Sequence, residues 1–483
     1  MKNPTRRPLH LGIFADYGTT LQPDEGIGVF VHHLLAALLR VEPDMRITLW
    51  VHPGEEHRVQ RQLRRYGNAV RVFPPARWAW LGGWLDAIES ARCFLRDRLM
   101  SRLSGTFQRR FILTWKRGGG FRLALAIVML MVLPFAWLAA VGYHVLVHGL
   151  LRALAFPGEV LLRGWSETHL PRQPDCDVWL LPLGRTSVTF QAPEVVVLWD
   201  LAHHHVANVF GPEMAETTDT LFARRVDRAA VVVCGADCVR HDDLLRVFPH
   251  AAEKMRVIPL SIPDDMKPAT RLEKEQVRQR YGLYRPFLFY PAALRAHKNH
   301  ATLIEALHRL RTKLGCDLDV VCTGKGELPS DLADLIAERN LQQHVRFLGL
   351  VNRDELRALY GLSTATVVPS LHEGFGLPVL EALACGALLT CSDLPSFREL
   401  LDGVEDAVIL FDSRNPDDVA RAVAQTLRDR DRLANAQRRA VRKLAQRTWE
   451  DVARDYLEVF RKAMTCAPGL ACGEIVEEVA AHV

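Results

Sequence analysis

The 483-residue chain has little of what marks several specialised protein classes. Its ten cysteines are too dilute for a disulfide scaffold and show no metal-ligand spacing, so we expect buried or free thiols in a reducing cytosol. It shows no internal repeat at solenoid periods and no low-complexity tract, which argues against solenoid and disordered proteins. No Gly-x-Gly-x-x-Gly follows the first predicted strand, so dinucleotide redox chemistry is not favoured.

Two further absences concern location and partners. The apolar stretch Leu11–Ala15 is too short for a secretory signal and ends at Asp16. No basic motif is interleaved with aromatic residues, so nucleic acid is not expected as a partner. The net charge is +5, yet residues 85–122 carry nine basic and three acidic side chains, so the positive charge is confined to that segment.

An uncharged apolar run follows this basic segment directly. Residues 123–151 contain no Asp, Glu, Lys or Arg, and 29 residues exceed the ~20 that a membrane span needs. Pro134 interrupts the run, and the strands predicted on either side resemble one domain, which a single span would divide across the bilayer. We therefore predict a bent, re-entrant or interfacial helical element, with residues 85–151 contacting an anionic membrane surface. A helical hairpin buried between domains or subunits is the alternative.

Elsewhere short apolar strands alternate with helical patterns, which is typical of parallel sheets covered by helices on both faces. So many strands favour two doubly wound domains, joined by a polar linker near Pro263–Glu273. The predicted strands are Leu9–Phe14, Arg46–Val51, Val70–Phe73, Val178–Leu181, Val195–Trp199, Val231–Cys234, Val257–Leu260, Phe287–Tyr290, Leu318–Cys322, Val345–Leu348, Thr366–Val368, Ala387–Thr390 and Val408–Phe411.

The richest stretch is SLHEGFGLPVLEALACG, at residues 370–386. A strand is predicted to end before it, a glycine-containing loop follows, and Pro378 begins a helix. Glycines let the backbone approach a ligand, and the free N–H groups of a helix N-terminus favour a phosphate. A carboxylate here, Glu373 or Glu381, can accept two hydrogen bonds from a ribose diol. The alternative is a pair of ordinary carboxylates, one at the surface and one starting a helix.

The spacing Glu373-x7-Glu381 within EGFGLPVLEALACG resembles the signature of retaining, family 4-type (group 1) glycosyltransferases. The resemblance implies an α/β chain with the GT-B fold, in which two doubly wound Rossmann-like domains face a central cleft. Further segments resemble the family in the same order along the chain; they are GIG at 26–28, VIPLSI at 257–262, FLFYPAALRAHKNH at 287–300, VVCTGKGE at 320–327, VRFLGLVNRDEL at 345–356 and Trp449–Phe460.

The same resemblance implies a division of the chain. Residues 1–265 would form the N-terminal acceptor-side domain, with a hydrophobic membrane-associating helical insertion at about 80–170. Residues 275–445 would form the nucleotide-sugar-binding domain. A C-terminal helix at 446–464 would return to the N-terminal domain, and 465–483 would be a tail.

The resemblance also implies roles for residues. Glu373 would hold the transferred sugar, and Arg295 and Lys298 would neutralise the diphosphate as it leaves with increasing negative charge. No metal or other cofactor is expected, because these cations replace it; surface cations are the alternative for both. The implied donor-binding residues are Gly26, Gly28, Gly374, Phe375, Gly376, Leu377 and Glu381, of which Glu381 would bind the ribose.

One segment departs from the family pattern. Many relatives carry a histidine where this chain has Trp199, followed here by Asp200 and a run of three histidines that starts at His203. The acceptor-side candidates are Asp200, His203 and His204. Three consecutive histidines can in principle bind a metal, but adjacent residues point in different directions, so a metal is not expected.

Together these features predict a glycosyltransferase on the cytoplasmic face of a membrane. It would move sugar from a nucleotide-sugar donor to an acceptor, with retention, and a lipid-linked saccharide of surface polysaccharide or glycolipid synthesis is the expected acceptor. One alternative is an inactive nucleotide-sugar-binding scaffold in a polysaccharide assembly complex, and another is a sugar-nucleotide epimerase.

Overall fold

The computed structural model describes residues 7–16, 26–52, 55–73, 173–186, 188–206 and 212–465. The expected membrane segment 85–151 and the tail beyond residue 465 lie outside these residues. Among the described residues, no helix combines the length and the apolar character needed to cross a membrane. The chain divides into two compact units, one of Met1–Tyr17, Leu21–Ile47 and Asp175–Val483 and one of Gly18–Thr20 and Thr48–Pro174.

Strands and helices alternate through the described residues. The strands are β1 His10–Phe14, β2 Arg46–Trp50, β3 Val70–Phe73, β4 Val178–Leu181, β5 Glu194–Val197, β6 Val231–Cys234, β7 Met255–Val257, β8 Phe287–Pro291, β9 Asp319–Thr323, β10 Val345–Phe347, β11 Ala365–Val368, β12 Leu389–Ser392 and β13 Ile409–Phe411. The α-helices are α1 Gly26–Val41, α2 Glu56–Gln62, α3 Ala202–His205, α4 Pro212–Arg228, α5 Leu245–Val247, α6 Arg271–Tyr281, α7 His300–Thr312, α8 Ser330–Glu338, α9 Arg353–Leu362, α10 Leu377–Ala384, α11 Pro395–Leu400, α12 Pro416–Arg428, α13 Arg430–Leu444 and α14 Trp449–Thr465.

The larger unit contains two parallel sheets. In the N-terminal sheet the strands run in the order β1-β4-β5-β6-β7, and all four pairs are parallel. Strands β4, β5 and β6 are buried along their whole length, as expected of a parallel sheet with both faces covered. The smaller unit contains α2 and β3, and within it Val51 N–H donates to Phe73 O at 2.8 Å.

The C-terminal sheet has the order β10-β9-β8-β11-β12-β13, and it too is parallel throughout. From β8 the chain first builds outward to β9 and β10, and then continues on the other side with β11. The boundary between β8 and β11 is therefore a topological switch point, where loops leave in opposite directions and open a crevice at the carboxyl ends of the strands.

The last helix packs across the N-terminal sheet. Trp449 and Tyr456 of α14 contact Phe30 of α1, with ring centroids 6.5 and 5.6 Å away, and all three side chains are buried. The Trp449 indole N–H donates to Ile262 O at 2.9 Å, so the same residue also holds the segment between the two sheets.

Each predicted strand overlaps an observed one, and the sheets are parallel as predicted. The ends differ most at β7 and β12, which begin two residues earlier and two later than expected. Apolar residues beyond the ladder explain both errors: Ile258 and Leu260 follow β7 and remain buried, and Ala387 and Leu388 are buried before β12 starts. Buried residues extend beyond the hydrogen-bonded part of each strand. An apolar run in the sequence indicates which residues are buried, but not where the hydrogen bonds end.

A buried ion pair supports strand β5, which leads into the site described below. Arg225 of α4 donates to Glu194 Oε2 at 2.7 Å and to the carbonyl oxygens of Thr186 and Val188 at 2.5 and 2.8 Å. Both charged side chains are less than 5% exposed, at 4% and 2%. The guanidinium therefore neutralises the buried carboxylate and satisfies two loop carbonyls.

We predict that Arg225→Met lowers the free energy of unfolding by about 3–5 kcal/mol, because Glu194 stays charged and buried while its nearest cation is lost and only Arg228, at 3.5 Å, remains. Urea denaturation followed by circular dichroism measures the loss. Arg278→Met is the matched control, since its pair with Glu275 is exposed and is worth at most about 1 kcal/mol. Equal losses in the two variants would contradict the prediction.

Candidate functional site

The loops that follow β8 and β11 are joined at the switch point. Leu371 N–H donates to His297 O at 2.8 Å. Asn299 takes a left-handed conformation with φ 59°, and its buried amide donates to Pro369 O at 3.0 Å and to Ser413 O at 2.7 Å. The loop after β8 is thereby held in register with the strand ends of β11 and β13.

Glu373 and Lys298, two of the predicted site residues, meet where these loops join. Lys298 Nζ lies 2.6 Å from Glu373 Oε1, and Ser370 Oγ donates to the same oxygen at 2.7 Å. Tyr290 supports both, because its hydroxyl lies 3.0 Å from Ser370 Oγ and donates to Lys298 O at 2.9 Å. Burial by itself would raise the pKa of Glu373, but the Lys298 ammonium and the hydrogen bonds from Lys298 and Ser370 outweigh it and lower that pKa.

The glycines after Glu373 are required by the space around them. A Cβ on Gly374 would lie 1.9 Å from Trp199 O, and Gly376 has φ 109° with a ring atom of Phe397 at 2.7 Å from the Cβ position. Phe375 between them is buried. Helix α10 then begins at Leu377, so its free N–H groups lie next to Glu373.

Glu381, the predicted ribose-binding residue, is buried in α10 with both oxygens engaged. Arg353 Nη1 donates to Oε1 at 2.7 Å, and the Tyr360 hydroxyl donates to Oε2 at 3.1 Å. Arg353 also forms a bidentate pair with Asp265, at 2.7 and 2.9 Å, and His33 Nε2 of α1 lies 3.2 Å from the same carboxylate. Burial would raise the pKa of Asp265, but Arg353 and His33 hold it far below its usual range.

The N-terminal sheet contacts the loop of residues 370–377 closely. Besides Trp199 O, the Asp200 Cβ lies 3.3 Å from the position of a Gly374 Cβ, so this acceptor-side candidate does lie beside the donor-side loop. Glu399 of α11 accepts hydrogen bonds from the N–H groups of Asp237 and Cys238 at 2.6 and 2.8 Å. A carboxylate on α11, which follows β12 of the C-terminal sheet, thus caps the helical turn that follows β6 of the N-terminal sheet.

The three consecutive histidines point to two different places. His203 and His204 both contact Asp219 Oδ1 of α4, at 2.7 and 2.8 Å. His205 instead contacts Asp243 Oδ1 at 2.5 Å, and its ring stacks on that of His372 with centroids 4.3 Å apart. The structure therefore brings His205 to the loop of Glu373, and not the two histidines named as candidates.

A cavity of about 350 Å³ lies beside this histidine pair. Glu373 borders the cavity and so faces both it and Lys298. The lining residues are His205, Cys238, Val239, Asp242, Asp243, Arg246, Leu371, His372, Glu373, Leu394, Pro395, Ser396 and Arg414. Strand ends and loops of both sheets contribute, so the cavity forms only when the two sheets come together.

The remaining predicted site residues lie apart from these contacts. Arg295 is exposed, and among the described residues its guanidinium has no acidic partner. Gly26 is the first residue of α1 and has open space beside its Cα, whereas Gly28 is buried in the helix. The residues immediately before Gly26 lie outside the described part of the chain.

Sequence reasoning overlooked several residues of this site. Arg353 and His372 were inside quoted motifs, NRDEL and SLHEGFG, but no spacing rule distinguishes them from surface residues. Asp243 lies in a π-helical turn, Val239–Leu244, a feature common at functional sites that the sequence does not reveal. Asp265 lies in the predicted linker, where a charged residue is expected to be solvated.

We predict that Gly374→Ala separates the loop from the N-terminal sheet, because the new methyl group cannot occupy space 1.9 Å from Trp199 O. Backbone amides at 199–201 and 374–376 should then exchange hydrogen faster than in the wild type, while β8 and β11 stay protected. Gly361→Ala is the control, since its Cβ would meet only the flexible side chain of Lys274. Unchanged exchange in Gly374→Ala would contradict the prediction.

Comparison with known proteins finds a family that resembles the C-terminal part of the chain. Residues 273–444 match the family model of glycosyl transferases group 1. The chain is 26% identical to O-antigen chain mannosyltransferase B of Escherichia coli over 49% of its own length and 61% of the relative's. It is 31% identical to D-inositol 3-phosphate glycosyltransferase of Thermobispora bispora over 55% of its own length and 57% of the relative's. The chain thus spans less than two thirds of the length of these relatives.

Solved structures match over a larger part of the chain. Anabaena HepE in complex with UDP and glucose aligns with a TM-score of 0.57 and 14% identity over 94% of this chain and 100% of that one. Sucrose-phosphate synthase of Thermosynechococcus elongatus aligns with a TM-score of 0.57 and 15% identity, over 94% of this chain and 98% of that one. At such identities the likeness shows the fold, which is GT-B. The chain therefore has the GT-B fold, and its residues 273–444 match the glycosyl transferases group 1 family.

Proposed function

We propose that the protein is a glycosyltransferase that moves a sugar from a nucleotide-sugar donor to an acceptor. The observation that carries the proposal is the pairing of two carboxylates with two cations: Glu373, on the loop before α10, pairs with Lys298, and Glu381, on α10 itself, pairs with Arg353. UDP in the similarly folded HepE and the glycosyltransferase names of the relatives support a nucleotide-sugar donor.

The donor diphosphate would lie between the loop after β8 and the start of α10. Lys298 and the exposed Arg295 supply positive charge there, and the helix N-terminus supplies N–H donors. These fixed groups stabilise the negative charge that develops as the nucleotide diphosphate leaves. We propose on this basis that the side-chain cations neutralise the leaving group without a metal.

Two side-chain groups among the described residues have a metal-like composition, His203–His204–Asp219 and His205–Asp243–His372. In the second, the rings of His205 and His372 are within 11° of parallel and stacked. An ion has to lie near the plane of each imidazole that binds it, so these rings do not converge on one ion. Their geometry therefore supports a polar cluster in preference to a metal centre.

Glu373 would contact the hydroxyls of the transferred sugar. Its lowered pKa means that it is ionised at neutral pH, so it accepts hydrogen bonds from hydroxyl groups, and Lys298 and Ser370 fix its direction. The backbone of Gly374–Leu377 would line the same sugar. Retention of the anomeric configuration is part of the proposal and rests on the family resemblance alone.

Glu381 would bind the ribose hydroxyls, with Arg353 as the residue that orients it. Each carboxylate oxygen has two lone pairs, so Glu381 can accept from a ribose diol while it keeps Arg353 and Tyr360. Arg353 in turn links Glu381 to Asp265, and through it to His33 of α1. Donor binding at Glu381 would thereby be linked, through Arg353, to Asp265 in the segment that joins the two sheets.

For the acceptor, we propose a lipid-linked saccharide at the cytoplasmic face of a membrane. The support is the basic and apolar sequence of residues 85–151, together with the similarity to an O-antigen chain mannosyltransferase. The basic flank would contact anionic headgroups, and the apolar run would enter the bilayer without crossing it fully. The protein would then take part in surface polysaccharide or glycolipid synthesis.

We expect Glu381→Ala to abolish donor use, because it removes the acceptor of the ribose hydrogen bonds. Membranes containing the protein are incubated with labelled UDP-, GDP- and dTDP-sugars, and label in the lipid extract is counted. Glu338→Ala, which removes an exposed carboxylate on α8, is the control and should transfer as the wild type does. Normal transfer by Glu381→Ala would overturn the donor-site assignment, and donor binding without transfer by the wild type would indicate a scaffold.

We expect the purified full chain to bind phosphatidylglycerol-containing vesicles and to require detergent, not salt alone, for release. The basic flank attracts the anionic surface, whereas apolar burial resists salt. Co-sedimentation with phosphatidylcholine vesicles tests the charge dependence, and a variant lacking residues 123–151 tests the apolar run. Full solubility of the wild type beside vesicles, or unchanged sedimentation of the deletion variant, would contradict the membrane proposal.

A further inference from the structure

The strongest feature outside the donor site is the contact between Asp243, His205 and His372. Asp243 follows β6 and His205 follows β5, both strands of the N-terminal sheet, whereas His372 precedes Glu373 in the C-terminal loop. Their contact therefore joins the two sheets immediately beside a residue of the proposed donor site.

Asp243 is the centre of this cluster. Its side chain is only 3% exposed, and it accepts hydrogen bonds from Leu201 N–H at 3.2 Å and from His205 Nε2 at 2.5 Å. His372 Nε2 faces its second oxygen at 3.5 Å and, among the described residues, has no closer partner. One buried carboxylate thus holds the backbone just after Asp200 and also contacts two histidine rings.

The cavity explains why this arrangement matters. His205, Asp243, His372 and Glu373 all line the cavity. The exposed residues Arg246 and Arg414 line it as well. The lining mixes carboxylates, imidazoles and guanidinium groups with apolar side chains, which suits a sugar that presents both hydroxyls and C–H faces. Glu373 therefore pairs with Lys298 and also borders this cavity.

We propose that Asp243 is a positioning residue for the transfer reaction: it holds His205 and His372 as one stacked pair, and the pair keeps the loop of Glu373 closed over the cavity in which a saccharide acceptor is bound. This inference rests on the proposed function. Asp243 acts through the two histidines and through Glu373, since its own carboxylate is occupied.

The protonation of His372 makes the reaction rate depend on pH, and a merely structural role of Asp243 would leave that pH dependence unchanged. Burial would lower the pKa of His372, but Asp243, with Asp200 and Glu373, raises it above the usual value. Other ionisable groups facing the same space are His205, Cys238, Asp242, Arg246 and Arg414. The ion pair with Asp243 is complete below the pKa of His372 and is lost as the pH rises through it.

Asp243→Asn is the test variant, because the amide oxygen still accepts from Leu201 N–H while the charge is removed. Nucleotide release from UDP-glucose, GDP-mannose and dTDP-glucose is measured against pH, with octyl α-mannoside and octyl β-glucoside as acceptor probes. We expect kcat to fall about 10- to 100-fold with the donor dissociation constant little changed. The alkaline limb of the pH profile should also move to lower pH, because His372 then loses its proton earlier.

Two further variants separate positioning from folding. Asp219→Asn is the matched control, since Asp219 holds His203 and His204 by the same kind of contact outside the cavity, and it should leave rate and pH profile unchanged. His372→Phe keeps a ring to stack on His205 but has no nitrogen facing Asp243, so the alkaline limb due to His372 should disappear.

The outcomes are distinguishable. A wild-type rate and pH profile in Asp243→Asn, or equal losses in Asp243→Asn and Asp219→Asn, would overturn the positioning role while the proposed function stands. A wild type that turns over donor but transfers to neither glycoside would overturn the saccharide assignment of the cavity. A wild type that neither binds nor consumes any of the three donors would overturn the proposed function and this inference with it.

Discussion

The site depends on one partly buried ion pair, between Glu373 and Lys298 at the switch point of the C-terminal sheet. A carboxylate that is 12% exposed needs a compensating cation, and the pair forms only if the loops after β8 and β11 meet. The hydrogen bonds of Asn299 and Tyr290 secure that meeting. Donor binding would use the same two side chains, so the groups that stabilise the loops are those that the proposed chemistry needs.

A second constraint is the close approach of the N-terminal sheet. Trp199 O leaves no space for a side chain at residue 374, and Glu399 reaches across to cap the turn at Asp237. Trp199 stands where the family resemblance leads us to expect a histidine; its indole N–H donates to Pro182 O at 2.9 Å and its ring packs on Phe30. This side chain therefore supports the N-terminal sheet, whereas His205 and Asp243 line the cavity.

Much of the fold and part of the site could be predicted from the sequence, because both depend on local patterns. Apolar runs of strand length indicated the parallel sheets, and the Glu373-x7-Glu381 motif lies on the loop and helix where glycines and a proline indicated them. The start of α12 is equally local, because Asn415 directly before it accepts hydrogen bonds from the N–H groups of Asp417 and Asp418. The three histidines follow β5, but the directions in which their side chains point depend on the turn of α3.

The sequence by itself determined where strands, caps and glycine turns occur, because those depend on residues close together in the chain. It also determined which carboxylates and cations were available for a phosphate and a sugar. Only the tertiary structure decided that Arg353 reaches both Glu381 and Asp265, and that Asp243 meets His372 across 129 positions of sequence. Those contacts join residues far apart in the chain, and a contact of that kind is set by how the helices and sheets pack and leaves no periodicity in the sequence.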